Sequence, residues 1–157
     1  MLRKLVQTNG DGAVTLARIF LGVVMFPHGA QKVLGWFGGY GFSGTMGFFT
    51  GTMGIPWIFA LLAILAEFAG SLGLITGLLS RIAAFGIAVN MLVAIFMIHR
   101  HVGFFMNWQG SQNGEGYEYH LLALGLALIV MCKGGGCFSL DKAIWGKCCS
   151  TSCKKEA

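Results

Sequence analysis

The stretch IPWIFALLAILAEFAGSLGLITGLL, Ile55 to Leu79, runs for 25 residues with a single charged side chain, Glu67. A bilayer's hydrocarbon core takes about 20 mostly apolar helical residues to cross. A water-soluble fold could hold such a run only by burying it on all sides, and this chain has little polar surface to wrap around it. Of its 157 residues 55% are hydrophobic and 11% charged, against about 25% charged in ordinary globular domains. The chain therefore reads as an all-α integral membrane protein.

Three further runs fit the same template. Ala13 to Leu34 is mostly apolar, with Arg18, His28 and Lys32 as its basic residues; Ile82 to Ile98 is short but extendable; Tyr117 to Cys132 opens on tyrosines suited to the membrane–water interface. Pro56 suits a first helical turn, where its missing N–H costs nothing. The first run is too long for a signal-peptide core and no small-x-small cleavage site follows it, so it reads as a permanent span.

A four-transmembrane-helix bundle puts both termini on one side. Arg3, Lys4, Arg81, Lys133, Lys142, Lys147, Lys154 and Lys155 then share that face, against Lys32 and Arg100 on the other. The positive-inside rule makes the basic face cytoplasmic. The expected organisation is a cytoplasmic N-terminus over residues 1–12, a bundle over 13–132 and a cytoplasmic Lys/Cys-rich tail over 133–157, in a bacterial inner membrane. The net charge of +5 forms no basic stripe with interleaved aromatics, so a nucleic-acid partner is not expected. The outer connection Gly38 to Gly54 carries no charge and is rich in Gly and Phe, which predicts a segment folded over the bundle as a lid.

The polar residues inside the apolar runs need partners, because lipid offers none. At 100° per residue, Arg18, Met25, His28 and Lys32 form one stripe of the first helix, about 21 Å long at 1.5 Å per residue. Pro27 removes a backbone donor and displaces the Val23 carbonyl beside His28. Glu67 is the natural counter-charge on the second helix. Around it Ala63, Ala66, Gly70, Ser71, Gly73 and Gly77 make a small-residue face for a close neighbour, expected to be the first helix. Asn90 adds a hydrogen-bonding group in the third helix, and Glu118 enters the fourth from the outer side. Two structural alternatives stand beside the site reading: Arg18 snorkelling to the interface, and Glu67 in an ion pair that serves only helix register.

These residues carry a resemblance. ARIFLGVVMFPHGAQKVLGWFGG, EFAGSLGLITGLLSRIAA, IHRHVGFF, GYEYHLLALGLALIV and GGGCFSLDKAI together resemble the DoxX family over about Leu16 to Ile144. The resemblance implies a small four-helix inner-membrane protein and draws attention to Arg18, His28, Lys32, Glu67, Arg81, Glu118 and Asp141. It also implies a link to membrane redox chemistry, since the family takes its name from a subunit of a thiosulfate:quinone oxidoreductase and other members are tied to thiol homeostasis. The cysteine-rich tail departs from the usual family end.

The function expected on these grounds is that of a membrane subunit in a quinone-linked redox system, not self-sufficient as an oxidoreductase. His28 and Lys32 would hold the quinone carbonyls, Glu67 would relay protons, and Trp36, Phe37, Phe48 and Phe49 would cover the ring, with Arg18, Asn90 and Glu118 completing the binding site. The chain shows no flavin or iron–sulfur motif, so a soluble redox enzyme is the expected electron-donating partner, beside membrane lipid and a further copy of the chain. One alternative is copper or zinc handling: thiolates suit soft metals, and Cys148, Cys149 and Cys153 supply three. Cys132 and Cys137 lie at the same end, where a reducing compartment disfavours structural disulfides. The methionines read first as apolar filler, and His99 and His101, two apart, as a weak metal signature. The other alternative is a scaffold that anchors soluble enzymes at the membrane.

Overall fold

The computed structural model describes residues 6–8 and 10–144. Among these, every regular element is helical and no strand occurs. Four long helices, α1 (Gly12–Leu34), α3 (Trp57–Thr76), α4 (Ser80–Met97) and α5 (Glu118–Lys133), are joined by two long connections at one end, the loop end, and by a tight turn at the other, the tail end. The short helix α2 (Gly41–Gly47) lies in the first connection. Packing runs in a ring: α1 against α3, α3 against α4, α4 against α5, and α5 back against α1.

Helix α1 begins at the Asp11 cap, whose side chain accepts from the Ala13 N–H at 2.8 Å, satisfying one of the orphan donors of the first turn. It continues through Pro27 to a left-handed Gly35. The central core joins Leu21 and Met25 of α1 to Leu74 of α3, Ala84, Ile87 and Met91 of α4, and Ala123, Ala127 and Val130 of α5. Outside it, Phe20, Phe59, Phe85 and Leu122 stand exposed, one on each long helix. An apolar exterior of this extent is surface for lipid or partner, not for water. Helices α1, α3 and α4 are long and apolar enough to cross a membrane. Helix α5, with 16 residues, spans about 24 Å.

The small-residue face of α3 turns elsewhere than the sequence suggests. A Cβ on Gly70 or Gly73 would meet Ala83 and Ile87 of α4, and Ala66 sits against Gly86. The close approach of α1 to α3 comes instead from glycines on α1. A Cβ on Gly29 would fall 2.6 Å from the Phe68 Cα, and one on Gly22 would fall 2.9 Å from Ile75. Glu67 lies at the seam between these two faces, so its carboxyl can be reached from both neighbours.

The uncharged connection folds back as expected of a lid. After α2, residues Phe48–Thr52 make one π-helical turn, closed by the Met53 N–H donating to the Phe48 carbonyl at 3.0 Å. Met46 is buried with Ala60 and Ile64 of α3, and Val33, Phe49 and Ile55 close over them. This second, smaller apolar cluster holds the connection against the loop end of α1 and α3.

Candidate functional site

The polar residues expected along one stripe separate into two groups at opposite ends of the bundle. At the tail end, Arg18 is wholly buried. Its Nε donates to the Gly135 carbonyl at 2.8 Å, and its terminal nitrogens donate to the carbonyls of Leu74, Ile75 and Phe138. Leu74 and Ile75 lie in the last turn of α3, where carbonyls have no intrahelical partner and the helix dipole favours a cation. Asp141, 1% exposed, does the reverse. Its carboxylate accepts the N–H groups of Leu79 and Ser80, at 2.7 and 2.8 Å, where α4 begins. Its own N–H donates to the Gly77 carbonyl at 2.9 Å. Gly77 is left-handed, with φ +74°, and a Cβ there would fall 2.5 Å from Ser139.

Two charges from distant parts of the chain thus cap the two helix ends of one hairpin. Arg81 donates to the carbonyls of Gln7 and Met131, and Thr15 and Thr8 accept the N–H groups of Cys137 and Gly136. Arg18, Arg81 and Asp141 are therefore fastenings of the segment after α5. The structure places Arg18 two turns along α3 from Glu67, on the carbonyls of Leu74 and Ile75, and does not bring it to the Lys32–Glu67 pair.

At the loop end, the Lys32 Nζ and the Glu67 carboxylate form a direct ion pair through Oε2. Asn90 of α4 donates to Glu67 Oε1 at 3.1 Å and to the Ala63 carbonyl at 2.9 Å. Three helices therefore meet on one carboxylate that is 7% exposed. A lone buried carboxylate is costly in hydrocarbon, and here both of its oxygens are satisfied.

Lys32 also faces outward. With Gln31, Tyr40, Thr45, Phe48 and Phe49, and with Gly38 and Gly39, it lines a pocket of about 260 Å³ under the folded connection. Phe48 and Phe49, 6.1 Å apart between ring centroids, form an aromatic part of its wall. Trp36 lies outside this pocket, edge-on to Phe37 and half exposed. Glu118 makes no ion pair or side-chain hydrogen bond among the described residues.

Behind the ion pair lies a group of rings that the sequence did not single out together. His28 stands 6.0 Å from the Tyr119 ring, and both lie within electrostatic range of Glu67. The Tyr119 hydroxyl donates to the Met25 sulfur at 3.3 Å. His120 is 7% exposed, and its Nδ1 makes no hydrogen bond among the described residues. His99, in a 3-10 turn after α4, stacks on His120 with ring centroids 4.1 Å apart. His101 turns away to accept from Arg100 at 3.0 Å. The YEYH opening of α5 reads as an interfacial aromatic patch, and nothing in the sequence set Tyr119 and His120 apart as inward-facing.

No group of three His, Cys, Asp or Glu side chains among the described residues has the geometry to hold a metal ion. Cys148, Cys149 and Cys153 lie outside the described residues.

The chain is 28% identical over 134 residues to the inner membrane protein YqjF of Escherichia coli (strain K12), covering 85% of this chain and 93% of that protein. No solved structure matches it. The sequence profile of the DoxX family matches residues 13–100, the stretch that contains Arg18, His28, Lys32, Glu67 and Asn90. The chain is a membrane protein of the DoxX family.

Proposed function

We propose that this protein is a four-span subunit of a quinone-linked redox system in a bacterial inner membrane, with both termini cytoplasmic and a quinone head group bound at the loop end. The observation that carries the reading is the double position of Lys32, which lines the aromatic pocket and pairs with Glu67. A quinone carbonyl gains hydrogen-bond acceptor strength as electrons arrive, so a donor tied to a proton-exchanging carboxylate is the chemistry that site needs. Phe48 and Phe49 offer ring faces for stacking. Lys32 would donate to one carbonyl, and Glu67, held by Asn90, would exchange the proton. In this reading a soluble partner supplies the electrons, since the sequence carries no flavin or iron–sulfur motif.

Helix α5 serves as the fourth span. Leu121, Leu122, Leu128 and Ile129 are exposed along it, and Tyr117 and Lys133 at its two ends suit the interfaces. The relative's name places that protein in the inner membrane, which supports the same location here.

The test is binding of decylubiquinone to the purified protein, read by quenching of tryptophan fluorescence. The expected result is saturable binding that weakens by roughly tenfold or more in Lys32→Met, the loss of one charged hydrogen bond. Absence of saturable binding in the parent protein would end the quinone reading.

A further inference from the structure

The carboxylate of Glu67 is 7% exposed and is held by Lys32 and Asn90, so its neighbouring side chains are the groups through which protons can reach it. Helix α4 offers only Asn90 there, and α1 offers Lys32 and His28. On the α5 side titratable rings follow one another toward the end of the bundle in ring contact: Tyr119, then His120, then His99. Rings of neighbouring members lie 6.0, 5.5 and 4.1 Å apart in that order, counting from His28. His99 is the member that water reaches, being only partly buried on its 3-10 turn. Its Nδ1 lies 2.7 Å from the Glu115 carbonyl. A carbonyl only accepts, so Nδ1 carries the hydrogen and Nε2 is left as the basic nitrogen. His120 is buried with an Nδ1 that no described group satisfies. Such a nitrogen costs stability, and a fold keeps that cost where the group has work to do.

We infer that His99 and His120 form a proton port that connects Glu67 to water at the loop end. The inference rests on the proposed function for its purpose, since reduction of a quinone to a quinol takes up two protons with two electrons. In each passage a proton from water adds to His99 Nε2, His120 takes it up and releases one from its other face, and the Glu67 carboxylate ends as the neutral acid by way of His28 and Tyr119. One O–H bond of water breaks and one forms on Glu67, Lys32 keeps its charge, and His99, His120, His28 and Tyr119 all end in the protonation states in which they began. Protons for the site are then drawn from the loop side, not from the tail side, where Arg18, Arg81 and Asp141 are engaged with backbone groups.

Infrared spectroscopy tests this on the full chain in nanodiscs of phosphatidylethanolamine and phosphatidylglycerol. The C=O stretch of protonated Glu67, identified by its loss in Glu67→Gln, is followed after a rapid step in pH. The expected result is a response slowed by roughly tenfold or more in His120→Gly, restored by added imidazole, and slowed likewise in His99→Gln. Imidazole rescue separates proton transfer from a merely structural role. If His120→Gly fails to fold, the partly buried His99→Gln decides alone. A rate equal to the parent's in His99→Gln, or a parent Glu67 band that does not follow pH, would overturn the port. Decylubiquinone binding is scored separately on the parent protein, so the quinone reading can fail while the exchange rates still decide the port.

Discussion

Two clusters of buried polar groups occupy the two ends of this bundle, and they are built on opposite principles. At the tail end every donor seen on Arg18 meets a main-chain carbonyl, and both oxygens of Asp141 meet main-chain N–H groups. Those charges answer to backbone groups at and near the helix ends, with four hydrogen bonds from the Arg18 guanidinium to carbonyls. At the loop end, charge meets charge across side chains, Lys32 shares itself with a pocket, and His120 keeps an unsatisfied nitrogen. A polar group wholly spent on backbone holds the fold. One held by other side chains, with capacity in reserve, is available for chemistry. Equal burial therefore does not mean equal role.

The largest expected effect lies at the tail end. Arg18→Met would strand the Leu74, Ile75, Gly135 and Phe138 carbonyls, and Asp141→Ala would uncap α4. Breaking one partner of a buried charged arrangement costs on the order of 3–5 kcal/mol, enough to remove most folded protein. Yield of monodisperse protein and its thermal midpoint in detergent measure this. Near-parental stability in both variants would break the distinction between the two ends.

Next comes the ion pair. Lys32→Met or Glu67→Leu alone leaves a partner charge behind, whereas the double variant removes both. The double variant is expected to be more stable than either single one and to bind decylubiquinone no better. A thermal-melt double-mutant cycle reads the coupling, and additive losses would show that the pair does not act as a unit.

Packing gives a third comparison. Gly29→Ala should destabilise more than Gly12→Ala, because the first Cβ meets the Phe68 backbone and the second meets nothing within 4 Å. The expected difference is about 1–3 kcal/mol, the usual cost of overpacking.

The smallest effect is expected from the tail cysteines. Replacing Cys148, Cys149 and Cys153 together with serine should leave thermal stability and decylubiquinone binding unchanged. Loss of stoichiometric copper or zinc in that variant would instead favour metal handling. Topology sharpens the comparison of the two ends without any stability change: a cysteine placed at Ser43 or Ser111 should label from outside intact cells, and one at Ser150 should not.

The sequence made the loop-end pair legible because its residues break a physical rule: a carboxylate and an ammonium in apolar runs must meet, and Glu67 and Lys32 do. Asn90 was legible on the same ground. Arg18 was misplaced because helical periodicity reports which face a residue lies on and says nothing of what the distant tail brings back to that face. Gly135, Phe138 and Asp141 decide its role, and they lie more than a hundred residues away along the chain. The small face of α3 was assigned to α1, but Gly70 and Gly73 meet α4, because composition marks a close approach without fixing which flanking helix makes it. His120 was hidden by its company: among tyrosines at a helix start it reads as interfacial, and only the turn that carries His99 shows that it faces inward.

The central claim, that the loop end carries the function and the tail end the fold, is tested most directly by decylubiquinone affinity in Glu67→Gln compared with the parent at matched folding. Glutamine keeps the size and hydrogen-bonding reach of Glu67 while removing its charge, so the bundle should stay folded with Lys32 released from its partner. The account predicts a monodisperse protein whose dissociation constant for decylubiquinone changes by roughly tenfold or more. A folded Glu67→Gln protein that binds with the parent's affinity would contradict it, and the loop-end pair would then be one more fastening of the bundle.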